Sequence, residues 1–242
     1  TTLNVLAVNL EENSNRSPVN YVMPPGIQRV QLLSNNGVNL LQNEQAMSLK
    51  VLNLKDGDAR GVIKTLNLDM RQYGKLSMFL HAESIPKLLP VKDNELNAVV
   101  RIGQDFLSNY YEIKIPLKIT QPGTYNSNDS SAAKVWPTAN NLDFSLQELI
   151  NLKLRRNSSN SPVDKIYRET IDNKTFSVYG NPNLGEVKGM LVAVENAVDG
   201  NTFDMSAEVW VNELRLSQLD EHGAYAALAR VDLQLADLGN IS

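Results

Sequence analysis

His81 and Glu83, two positions apart in LHAES, are the most direct hint of acid–base chemistry in this sequence. At that spacing both side chains fall on one face of a β-strand, where a carboxylate can orient an imidazole. Nothing nearby in the chain supplies a nucleophile or an oxyanion donor for them. A partly buried, hydrogen-bonded histidine is the simpler expectation, because buried polar groups find partners. In KDGDARG, Asp56 and Asp58 resemble the start of a calcium loop. The further oxygen ligands and bidentate glutamate of such a loop do not follow at the required spacing, so a β-turn is expected. QDFLSNYYE gathers Asp105, Asn109, Tyr110 and Tyr111 near a turn. Tyr110 and Tyr111, together with Trp136, are candidates for an aromatic platform that stacks on a sugar. The competing expectation sends Tyr111 into a core while its neighbours close the turn. Trp210 lies in a strand pattern and is expected inside, with its indole N–H tied to a partner.

Other chemistry is scarce. The absence of cysteine excludes disulfides, thiolate metal sites and cysteine nucleophiles, and two histidines leave little for zinc. Glycine-rich phosphate loops, GxSxG elbows and HExxH are missing. A glycosidase needs two carboxylates at a set separation in space, which a sequence does not reveal. No catalytic, metal or cofactor-binding residues are therefore assigned.

The elements that would position any site are mostly strands. MSLKV puts Met47, Leu49 and Val51 on one face, and VIKTLNLDM alternates in the same way. KLSMFLHAE is apolar on nearly both faces, as a central strand covered on both sides would be. NAVVRI follows. In YEIKIPLKIT, Tyr111, Ile113, Ile115, Leu117 and Ile119 oppose Glu112, Lys114, Pro116 and Lys118. Pro116 cannot donate to a ladder, which predicts an edge strand or a bulge. KGMLVAVENA and AEVWVNELRL supply late strands. One helix interrupts them: in FSLQELINLKLRR, Ser145 and Glu148 have capping-box spacing and Phe144 and Leu149 have staple spacing. Arg155 and Arg156 fall in its last turn, where cations suit the helix dipole. QPGTYNSNDSSAA and NSSNSPVD, on either side, are expected as surface loops. The expected architecture is mainly β: an antiparallel β-sandwich of jelly-roll type over 24–218 with a loop–helix insertion at 121–165. Residues 1–23 are expected as a leading segment or linker, and 219–242 as the start of a further strand.

At 242 residues, with 42% hydrophobic and 21% charged residues, the chain can bury a full core. A net charge of −4 without a basic stripe argues against nucleic acid as a partner. No run of about 18 apolar residues is present for a transmembrane helix. The chain opens without methionine or a signal peptide, so a piece of a longer polypeptide is expected.

Several stretches, taken in order, carry a family resemblance: MPPGIQRVQLL, DMRQY followed by FLHAES, RIGQD with NYYE, FSLQELINLKLRRN, and WVNELRLSQLDEHGAYAALARVDLQLADLGNIS. The run resembles the SprA (Sov) family, the outer-membrane translocons of the type 9 secretion and gliding-motility machinery of Bacteroidetes. The resemblance implies a non-catalytic module of a very large β-barrel protein in the cell outer membrane; the extracellular side is the expected face, although the sequence does not fix it. Other translocon subunits, secreted substrate proteins and outer-membrane lipid would be its partners. A surface carbohydrate-binding module is the alternative.

The end of the chain fits that implication. From Tyr225 the apolar residues alternate strictly: Tyr225, Ala227, Ala229, Val231, Leu233 and Leu235. Arg230, Asp232 and Gln234 lie between them. A tilted strand of about 9 to 11 residues spans a bilayer, with apolar side chains outward and polar ones inward. The first set is expected to face lipid and the second an aqueous lumen. The competing expectation is an ordinary edge strand of the sandwich.

Overall fold

The apolar alternation does produce strands. In the computed structural model, which describes residues 1–29, 31–33, 39–198, 203–219 and 231–232, they form two large antiparallel sheets and one hairpin. The first sheet contains β1 (Thr2–Asn9), β4 (Gln45–Leu54), β6 (Tyr73–Ser84), β9 (Leu142–Ser145), β13 (Met205–Leu219) and β14 (Val231–Asp232). Its order is β1-β4-β13-β6-β9, with β14 on β13. The second contains β5 (Ala59–Leu68), β7 (Leu96–Gly103), β8 (Tyr110–Pro116), β10 (Tyr167–Ile171), β11 (Lys174–Tyr179) and β12 (Val187–Asn196), in the order β10-β11-β8-β7-β12-β5. The hairpin joins β2 (Gln31–Leu33) to β3 (Asn39–Leu41). The helices are α1 (Leu10–Asn13), α2 (Asp129–Val135) and α3 (Gln147–Ser158).

The sheets share one hydrophobic cluster. Met47, Leu49 and Val51 of β4, Leu80 and Ala82 of β6, and Val209 and Val211 of β13 enter it from one side. Val100 and Ile102 of β7, Ile113 and Ile115 of β8, and Val192 and Val194 of β12 meet them from the other. Each fully buried leucine or isoleucine contributes about 1.5–3 kcal/mol of transfer free energy. The helix α3 closes one side of this core with Leu149 and Leu152.

The outward faces of the two sheets differ. On the second sheet that face carries a cross-strand ladder: Arg101 Nε donates to Glu112 at 2.6 Å, Asn97 Nδ2 donates to Glu195 at 2.9 Å, and Lys114 pairs with Glu195. The central part of the first sheet is covered on both faces. Ser48, His81, Glu83, Glu208, Trp210 and Asn212 alternate with its core residues, point away from the core, and are nonetheless buried. Val19, Tyr21 and Val22 pack over them with Ala132 and Val135 of α2 and with Trp136. KLSMFLHAE, as β6, is thus an interior strand with neighbours on both faces.

Several local expectations are corrected. Pro116 lies neither at a sheet edge nor in a bulge, since β8 is flanked by both β7 and β11. It is the last residue of β8, and the N–H of Leu117 goes to Leu96 O on the β7 side at 2.8 Å. The nitrogen of Pro116 therefore faces the β11 side, where pairing has already ended at Thr175–Lys114. The capping box at α3 does not form. Ser145 is held extended in β9, opposite Lys75, and Leu146 takes the N-cap position without a side-chain bond. Phe144 and Leu149 are both buried in the core but are not at staple positions, because the helix starts later. The polar run QPGTYNSNDSSAA contains α2, capped by Asn128, whose side chain accepts from Ser131 N at 2.9 Å. The interval 121–165 also contributes β9 to the first sheet, so it is more than a loop–helix insertion. Residues 1–23 supply β1, α1 and the segment carrying Val19 to Val22.

Leu80→Ala is expected to destabilise the fold by about 2–5 kcal/mol, the usual range for emptying a buried leucine site. Leu107→Ala, at a side chain 82% exposed, is expected to change stability by less than about 0.5 kcal/mol. Urea denaturation of both variants checks the contrast.

Candidate functional site

The covered face of the first sheet is the densest polar arrangement among the described residues. Alternation along β6 and β13 puts His81, Glu83, Glu208 and Trp210 on the face opposite the core. Antiparallel pairing sets Glu208 across from Glu83 and Trp210 across from His81. Two carboxylates side by side under a cover would repel each other and lose hydration, a penalty of several kcal/mol per ion. The chain answers with Arg16, from the segment that crosses this face. Its Nη2 lies 2.6 Å from Glu83 Oε1 and 2.7 Å from Glu208 Oε2. Nη1 donates to Val19 O at 2.9 Å, and the guanidinium carbon sits 5.0 Å from the centre of the Trp210 ring. Glu208 Oε1 also accepts from Ser48 Oγ at 2.8 Å and from the Trp210 indole at 3.0 Å. Trp210 is therefore buried with its N–H bonded, as expected.

His81 is fully buried and stacks on Trp210, ring centres 3.9 Å apart. Its Nδ1 is 2.8 Å from Val135 O and 3.1 Å from Thr120 Oγ1, and its Nε2 is 3.2 Å from Glu83 Oε2. Thr120, His81 and Glu83 thus follow the hydroxyl–imidazole–carboxylate order of a nucleophilic triad. A carbonyl only accepts, so Nδ1 holds the proton that Val135 O receives and has no lone pair to take one from Thr120. Thr120 Oγ1 itself lies within bonding distance of Lys134 O and Val135 O. The arrangement joins α2 to β6 and does not activate a hydroxyl.

A second group lies beside the first. Tyr21 Oη donates to Glu44 Oε2 at 2.5 Å, and Asn212 Nδ2 reaches both Tyr21 Oη, at 3.1 Å, and Glu44 Oε1. Burial raises the Glu44 carboxyl above its ordinary 4.5, although the bonds from Tyr21 and Asn212 pull the other way. Burial, then the charge of Glu44, pushes the Tyr21 hydroxyl well above 10.0. The crossing segment is also bonded to its neighbour: Asn20 and Tyr125 exchange two hydrogen bonds at 2.8 and 2.7 Å, and Trp136 Nε1 donates to Val22 O at 2.8 Å.

The residues considered for a sugar platform lie in three places. Tyr110 is on the outer face of the second sheet, 5.6 Å from the Tyr179 ring and under the Arg101 guanidinium at 4.3 Å. Tyr111, its neighbour along the strand, points the opposite way into the core. Trp136 is 1% exposed beneath Val22. Asp105 closes the β7–β8 turn by accepting from the backbone of Leu107 at 2.8 Å, of Ser108, and of Asn109 at 3.2 Å. Those N–H bonds, that of Ser108 first, hold its carboxyl below 3.8. Asp56 and Asp58 sit in the β4–β5 turn, where Gly57 has a φ of +71°. Among the described residues no three histidine, aspartate or glutamate side chains are placed to hold a metal ion. Of the expected membrane strand, Val231 and Asp232 pair antiparallel with Leu216 and Arg215. Tyr225, Ala227, Ala229, Arg230, Leu233, Gln234 and Leu235 lie outside the described residues.

Arg16, Tyr21, Glu44 and Glu208 were not identifiable as a site from sequence. Arg16 stands in a polar run and its partners are distant in the chain. The available signal was charge on strands otherwise apolar on both faces, FLHAE and AEVWVNE.

Arg16→Met is expected to cost about 3–5 kcal/mol, because it leaves two buried carboxylates uncompensated. Adding Glu83→Gln and Glu208→Gln is expected to restore part of that loss; simple addition of three penalties in a denaturation cycle would contradict the arrangement. Glu44 has a folded-state value raised above 4.5, so the unfolded chain gives up this proton first. The stability it contributes is complete below 4.5 and is lost as pH rises through the raised value. Glu44→Gln is accordingly expected to flatten the decline of stability just above pH 4.5, measured by urea titration across pH.

No curated protein matches the chain. A family model, described as motility related/secretion protein, matches residues 1–242. The match spans the first sheet, the second sheet and the segment that crosses the first sheet's outer face. The chain therefore belongs to the SprA_N family of motility related and secretion proteins.

Proposed function

We propose that this chain is a non-catalytic module of a large outer-membrane β-barrel translocon, serving type 9 protein secretion and gliding motility. The observation that carries the reading is the family match across residues 1–242. In this reading the two-sheet core is a jelly-roll-like body outside the bilayer, on the extracellular side. Its surface meets other translocon subunits and secreted substrate proteins. Residues 219–242 lead from β13 into a barrel strand, in contact with outer-membrane lipid.

Two features support the second half of the proposal. In residues 225–235 every odd position is apolar and Arg230, Asp232 and Gln234 stand between them, at a length that suits a tilted spanning strand. β13, at 15 residues the longest strand among the described residues, ends at Leu219, where the segment 219–242 begins.

The chain has no cysteine, which makes single introduced thiols informative. In the outer-membrane fraction of cells producing the full-length parent protein, a water-soluble maleimide is expected to label Gln234→Cys readily and Ala227→Cys poorly. Leu107→Cys is expected to be labelled on intact cells. Equal labelling of positions 227 and 234 would remove the barrel strand from the account. Labelling of position 107 only after permeabilisation would move the module to the other membrane face. Recovery of the parent protein in the soluble fraction would overturn the translocon reading.

A further inference from the structure

The helix α3 presents two different stripes. Leu149, Leu152 and Arg156 turn to the core, while Ile150, Lys153 and Leu154, at positions i, i+3 and i+4, line a cavity of about 250 Å³. Leu184, Tyr111 and Arg71 contribute to its other walls. Ile150 and Leu154 remain 36% and 57% exposed, so the apolar stripe is open towards solvent.

The charges around this cavity are unbalanced. Arg156 is 1% exposed, yet among the described residues it has no carboxylate partner. Its Nη1 donates to Gly180 O at 2.5 Å, and its Nε and Nη2 to Asn157 Oδ1 at 3.2 and 3.1 Å. Buried charges in proteins are ordinarily paired. Lys153, one turn earlier, also has no carboxylate partner among the described residues; its Nζ donates to Pro182 O at 2.9 Å. Burial, and then the nearby charge of Arg156, lowers the Lys153 ammonium from its ordinary 10.5. Arg71, at the rim, is already matched by Asp69 at 2.7 Å. Tyr111 is only 2% exposed and lines the cavity, and its hydroxyl has no hydrogen-bond partner among the described residues. Burial raises that hydroxyl to about 12, so at neutral pH it is a donor.

Lys153, the Tyr111 hydroxyl and an apolar stripe meet in one cavity, and the buried charge of Arg156 acts on both polar groups from outside its lining. We propose that this cavity binds an amphipathic carboxylate, its apolar body along Ile150, Leu154 and Leu184 and its head bonded by Lys153 and Tyr111 near Arg156. At roughly 30 Å³ for each water-sized group, the cavity holds about eight heavy atoms. With one side open to solvent, that suits a medium-chain fatty acid such as octanoate, whose ten heavy atoms slightly exceed it; this is the source to which the proposal commits. It is independent of the translocon reading, because it rests on this cavity alone.

Octanoate is the probe, titrated calorimetrically into the 242-residue chain alongside octanol and acetate. Saturable binding of one octanoate is expected, with octanol and acetate each at least about tenfold weaker, the factor expected for one charge-assisted hydrogen bond. Tyr111→Phe and Lys153→Gln are each expected to weaken octanoate by about tenfold while thermal stability stays near that of the parent chain. Octanol binding as tightly as octanoate would overturn the role of the charge. Unchanged affinity in both variants, or no saturable binding of octanoate, would overturn the site.

Discussion

The fold depends on one guanidinium. Glu83 and Glu208 face each other across β6 and β13 on a sheet face that is covered, and Arg16 lies within 2.6 and 2.7 Å of both. Without that cation the cover could not close, because two dehydrated carboxylates would sit together in a low-dielectric layer. With it, the segment bearing Arg16 becomes a third layer, and Tyr21, Val22 and Trp136 complete an apolar cluster around the charges. Buried ion pairs add little net stability over well-packed apolar substitutes, but they are demanding about position. With Nη2 bridging the two carboxylates and Nη1 donating to Val19 O, Arg16 admits one register of the crossing segment on the sheet, which sliding apolar contacts alone would not specify.

This layering bears on how the module acts. β13 runs through the middle of the first sheet, between β4 and β6, and is buried on both faces along its first half. Its last residues leave the covered region, where Leu216 and Arg215 pair with Val231 and Asp232. A strand anchored by two neighbours and two covering layers is a stiff base for whatever follows it. Such an anchor suits the place beside a protein-conducting channel that we propose for this chain. The ionic ladder on the second sheet, with Arg101, Glu112, Lys114 and Glu195, instead leaves a hydrated face for contact or for solvent.

Most strands were legible because their alternation is strict. Met47, Leu49 and Val51 in MSLKV and Ile113 and Ile115 in EIKIP are inward in the structure as in the pattern. The two-faced apolar run KLSMFLHAE correctly indicated a strand covered on both sides. What covers it was not legible: the strap holding Arg16 and Tyr21 is polar and proline-rich, and α2 is short and rich in serine and asparagine. Both owe their order to tertiary contacts, such as Trp136 on Val22, and not to local propensity. Ser145 and Glu148 have the spacing of a capping box, but pairing of Ser145 in β9 overrode it. The pair His81 and Glu83 was correctly placed on one face. Arg16, which decides what that face does, is 67 residues away in the chain from Glu83.

Native-state hydrogen exchange tests the central claim most directly. The N–H of Tyr21 bonds to Asn13 O at 2.9 Å and that of Gly123 to Pro18 O at 2.9 Å, so both report on the crossing segment. If the segment is an integral third layer, these amides exchange only through the opening that exposes Val209 in β13, with similar protection. Exchange of Tyr21 and Gly123 orders of magnitude faster than Val209 would mean that the cover opens by itself, and would contradict the account.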